Sequence, residues 1–73
     1  MNRLPIEFTK KPTRAMIMRS ILQCIPHGIR GFDLAWGENW IELEYYHGQW
    51  HGCGWIKAIG GDDIASDLNK LAA

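Results

Sequence analysis

Between Phe32 and Lys57 apolar and polar residues alternate with few interruptions. This stretch carries all four tryptophans, both tyrosines, two of the three histidines and one of the two cysteines. A period of two marks β-strands that bury one face and expose the other. Three strands are expected, over roughly 29–36, 40–47 and 50–58. Glu38-Asn39 lies at the first turn, with Gly37 just before it. Gly48-Gln49 joins the second pair, since glycine first in a two-residue loop suits a type II′ turn. That loop sets a register: His47 opposite Trp50, Tyr45 opposite Gly52, Leu43 opposite Gly54 and Ile41 opposite Ile56. These residues, with Phe32 and Leu34, share the face expected to be buried. The large–small pairs with Gly52 and Gly54 suggest close approach of a helix.

The other face follows from the same register. Tyr46 is expected opposite His51, Glu44 opposite Cys53, Glu42 opposite Trp55 and Trp40 opposite Lys57, with Asp33 and Ala35 alongside. The result is a patch of Asp33, Glu42 and Glu44 framed by Trp40, Trp55 and Tyr46. Large aromatics are enriched at interface hot spots, and carboxylates complement a basic partner. The competing reading is an ordinary solvated sheet face, or one covered by the N-terminal arm.

Around this core of strands the remaining residues read as helices and a short arm. Leu4, Ile6 and Phe8 alternate, so residues 1–10 form an arm or a short first strand, with Pro5 suited to an edge. Pro12 fits the first turn of a helix over 13–25. Ile17, Met18, Ile21, Leu22 and Ile25 form its apolar stripe, Pro26 should end it, and Gly28 can complete the exit. After Gly60-Gly61, Asp62 or Asp63 can cap a last helix whose stripe is Ile64, Leu68 and Leu71. The expected fold is a small single α+β domain over residues 1–73, in the order β-α-β-β-β-α. Its antiparallel sheet of three or four strands carries two helices on one face.

A chain of 73 residues buries only about 60% of its unfolded surface, so a metal, a disulfide or a partner subunit would help it. Cys24 and Cys53 make no disulfide framework and suit a reducing cytoplasm. Residues 1–14 are mixed and basic, unlike a signal peptide, and no apolar run approaches a membrane span. The net charge is zero, but it is sorted. Up to Gly31 six positives face one negative. From Phe32 onward seven negatives face two positives. A basic helix complementing an acidic sheet explains this simply. Two charged surfaces aimed at different partners would also explain it.

The chemistry-bearing motifs are weak. Cys24-x2-His27 and His47-x3-His51-x-Cys53 use zinc-competent residues, but at no known zinc spacing. His47 also faces away from His51 and Cys53, so no metal site and no cofactor are expected. Glu42 and Glu44 lie about 7 Å apart on a strand, within glycosidase range, yet a flat sheet offers no cleft and no enzyme is expected. Gly28-Ile29-Arg30-Gly31 superficially matches the GXXG loop of KH domains, but it leads into a strand.

In size and style the chain resembles small accessory proteins of phages and mobile elements, which are short, cytosolic, non-enzymatic and rich in aromatics. No motif carries this likeness. It implies an inhibitor or adaptor that occupies a partner's surface. The expected function is therefore protein binding through Asp33, Trp40, Glu42, Glu44, Tyr46 and Trp55, with a basic nucleic-acid-binding protein as one candidate partner. One alternative is nucleic-acid binding by Lys10, Lys11, Arg14, Arg19 and Arg30. Another is a homodimer closed by the aromatic face.

Overall fold

The computed structural model describes residues 2–72. Residues 1 and 73 of the expected domain lie outside that range. The elements run β1 (Arg3–Glu7), α1 (Arg14–Cys24), a single 3-10 turn (Ile25–His27), β2 (Gly31–Trp36), β3 (Asn39–Tyr46), β4 (Gln49–Ile56), β5 (Ile59–Gly60) and α2 (Gly61–Ala72). The α+β class is as expected. The sheet has five strands, not three or four, in spatial order β1-β2-β3-β4-β5. It is also mixed, because β1 pairs with β2 in parallel and the rest form an antiparallel meander.

Three two-residue turns build the meander. Trp36 pairs with Asn39 around Gly37-Glu38, Tyr46 with Gln49 around His47-Gly48, and Ile56 with Ile59 around Lys57-Ala58. The central loop is therefore His47-Gly48 and not Gly48-Gln49. Both residues have positive φ, 52° and 79°, as a type I′ turn requires. The hairpin register moves by two places. Tyr45 faces Trp50, Leu43 faces Gly52 and Ile41 faces Gly54, while Glu44 faces His51, Glu42 faces Cys53 and Trp40 faces Trp55. A shift of two preserves which face each side chain takes; a shift of one would have inverted it.

Both helices supply core residues to one face of the sheet. Phe32, Leu34, Ile41, Leu43 and Ile56 are fully buried there against Ile17, Ile21 and Ile64, with Trp50, Ala65 and Leu68 nearly so. The helical stripes are narrower than expected. Leu22 is 43% exposed and Leu71 63% exposed, and Ala65 joins the core. The close helix approach falls at Gly52, where a Cβ would collide with the Gly61 carbonyl. Gly54 instead lies under the Trp40 ring with φ of 85°.

The helix ends follow their local chemistry. Thr13, not Pro12, begins α1: its Oγ1 accepts from the Met16 N–H at 3.1 Å. Pro12 and Ile17 hold the positions of a hydrophobic staple, and both are fully buried. Pro26 confines the chain beyond Cys24 to the 3-10 turn, and Gly28 closes it at φ 87°. Asp62 and Asp63 sit within the first turn of α2, where they complement its positive end without preceding it. Among the described residues no helix is long and apolar enough to cross a membrane.

The rims of the sheet are short or plugged. Phe8 donates its N–H to Ala35 across the β1–β2 ladder, so the Pro5 nitrogen, of opposite parity, faces outward where no ladder bond is forfeited. β5 covers only the Trp55–Ile56 end of β4. At the other end Asn69 of α2 takes over. Its Oδ1 accepts from the Trp50 N–H at 2.7 Å and its Nδ2 donates to the Trp50 carbonyl at 3.1 Å.

Candidate functional site

Strand parity puts Asp33 of β2, Trp40, Glu42, Glu44 and Tyr46 of β3, and His51, Cys53 and Trp55 of β4 on the face that supplies nothing to the core. The six residues expected to form a binding patch are thus brought onto one surface. Trp40 is 54% exposed and Trp55 69% exposed, and the two face each other across the β3–β4 ladder. Tyr46 and His51 lie diagonally across that ladder and stack, with ring centroids 3.8 Å apart and planes 22° apart. They form one end of the patch and the indoles the other.

The acidic centre differs from the expected one. Arg3 of β1 lies across it. Its Nε and Nη2 donate to the two Asp33 oxygens at 3.0 and 2.8 Å, and Nη2 also donates to Glu42 Oε2 at 3.0 Å. Glu44 Oε2 is 3.7 Å from Nη1. The Arg3 hydrogen bonds hold the Asp33 carboxyl below the usual aspartate range. Partial burial opposes this, and the guanidinium charge reinforces it. The same carboxylates hold Arg3 more firmly protonated. Three carboxylates share one guanidinium, so the centre carries a formal net charge of about −2.

By charge count Arg3 belongs to the basic half of the chain, which does not disclose this role. Two signals were present. Leu4 and Ile6 turn inward, which sends Arg3 outward. Gly31, directly opposite, leaves the space: a Cβ there would come within 2.8 Å of Arg3 Cγ and Nη1.

The alternative basic set is not brought together. Arg14 is held by Asp67 of α2 at 2.8 Å. Arg19 is five residues further on, about 140° around the helix. Lys10 and Lys11 precede α1, whereas Arg30 follows it, beyond the 3-10 turn. Arg30 packs its guanidinium over the Tyr45 ring, 5.7 Å from the centroid. Gly28 to Gly31 leads into β2 and not into a second helix.

The zinc-competent residues also remain apart. His47 is in the turn, Cys24 is on α1, and among the described residues no group of three or more His, Cys, Asp or Glu could hold a metal ion. Glu42 and Glu44 stand on an open sheet, both within reach of Arg3. No known protein family matches this chain, and no curated protein or solved structure is significantly similar to it.

Proposed function

We propose that this chain is a small, non-enzymatic protein-interaction module that docks another protein through the outer face of its sheet. The carrying observation is the opposed pair Trp40 and Trp55, two indoles more than half exposed on a face that no helix covers. Desolvating an indole is favourable, and exposed aromatic clusters of this kind serve as anchors in interfaces. The residual negative charge at Asp33, Glu42 and Glu44 supports a basic partner surface, such as that of a nucleic-acid-binding protein. It opposes a homodimer through the same face, because two copies would confront like charges.

The test is affinity capture from the native cell lysate with the wild-type chain and with a Trp55→Ala, Glu44→Lys variant. Partner capture is expected to vanish with the variant while its thermal unfolding stays cooperative. Undiminished capture would remove the outer face from consideration. Light scattering during size exclusion should give a monomer. A dimer dissolved by Trp55→Ala would replace this reading with self-association.

A further inference from the structure

We infer that the recess between Trp40 and Trp55 is an arginine-reading subsite, filled by a guanidinium from a basic segment of the partner protein. This rests on the docking face proposed above and specifies what that face recognises. The recess has a volume of about 380 Å³ and is lined by Glu38, Asn39, Trp40, Gly54 and Trp55. Gly54 lets the Trp40 ring settle against the strand: a Cβ at this position would meet ring atoms Cε3 and Cζ3 at 2.9 Å. The indole is thereby held in place while half of it stays exposed.

Glu38 in the β2–β3 turn contributes the charge. The ion pairs among the described residues involve Arg3 and Arg14, and neither reaches Glu38. Lys57, in the β4–β5 turn, directs its Nζ over the Trp36 ring, 5.9 Å from the centroid. Two indoles beside an uncommitted carboxylate suit a cation with a flat apolar surface. Guanidinium fits better than ammonium, because it is planar, weakly hydrated and stacks on indole. The other half of the face shows the same preference internally, where Arg3 already lies across Asp33, Glu42 and Glu44. Among the described residues, no cationic side chain lines the Trp40–Trp55 half. The net negative charge between the halves would draw a basic segment into register.

The experiment is a titration of the full chain with a short blocked peptide containing one arginine, followed by the indole N–H resonances in nuclear magnetic resonance spectra. Matched peptides carry lysine or uncharged citrulline in its place. Saturable shifts are expected at the Trp40 and Trp55 indoles, not at Trp36 or Trp50, with a dissociation constant of about 1 mM. Citrulline should bind about 10-fold more weakly. Trp55→Ala and Trp40→Ala should each remove saturation with the remaining spectrum unchanged. Glu38→Gln should weaken binding about 3-fold and reduce its salt dependence.

Equal binding of citrulline, no saturation, or saturation that survives both tryptophan changes would overturn the subsite. Lysine matching arginine would overturn the choice of guanidinium. If the arginine peptide fails while Trp55-dependent partner capture persists, the subsite falls and the docking face stands. If both fail, the docking face falls too.

Discussion

Trp36 and Trp50 belong to the inner face of the sheet, and Trp40 and Trp55 to the outer face. Trp36 and Trp40 flank one turn, on β2 and β3, and Trp50 and Trp55 share β4. Trp50 is 6% exposed, packed against Phe32 and Tyr45 and tied through its backbone to Asn69, whereas Trp55 is 69% exposed. The difference lies in what the helices cover. Inner aromatics contribute to stability by leaving water, and outer ones can release that free energy only when something else covers them. Mutations on the two faces should therefore separate folding from binding.

The largest effect is expected on the inner face. Leu43→Ala removes a fully buried side chain opposite Gly52, which has no side chain of its own to help fill the space. Denaturant unfolding should show a loss of about 2–5 kcal/mol. A loss within experimental error would mean that the faces are not as distinct as described. Asn69→Ala comes next. It strips both partners from the Trp50 N–H and carbonyl, and should lower stability by about 1–3 kcal/mol with little change in partner capture.

A smaller, pH-dependent effect belongs to Arg3→Met. Arg3 depresses the folded-state Asp33 pKa, so it contributes stability above the unfolded aspartate value of about 3.9. That contribution disappears as pH falls through the lowered folded value. The variant should be about 0.5–1 kcal/mol less stable at neutral pH, with the gap closing in acid. A gap that widened in acid would assign the Arg3 contribution to something other than these carboxylates. The smallest stability change, under about 0.5 kcal/mol, is expected for Trp55→Ala, whose consequence should be confined to binding.

The inward and outward assignment of the hairpin was legible because it depends on parity alone. Ile41 and Leu43 read as buried, and Glu42 and Trp40 as exposed, whether the loop is Gly48-Gln49 or His47-Gly48. The choice of loop was not legible, because a non-glycine residue at positive φ, here His47, is uncommon, although histidine is one of the side chains that adopt it more readily. The fifth strand was hidden by its two-residue length and by Gly60, which reads as a break. Long-range pairings were the least visible. The alternation of Leu4 and Ile6 sends Arg3 outward, but nothing near it in the sequence announces its partner Asp33, thirty residues away, or the parallel ladder that joins them. By sequence Asn69 is one more polar residue on an amphipathic helix, and only the tertiary position of α2 gives its amide a role.

The plugged rims have a consequence for how this molecule behaves when concentrated. A fibril grows when one sheet offers the next chain an unbroken row of donors and acceptors. Here one margin carries a proline nitrogen, and the other is shared between a strand two residues long and a side-chain amide. Strand-by-strand polymerisation therefore has no clean template.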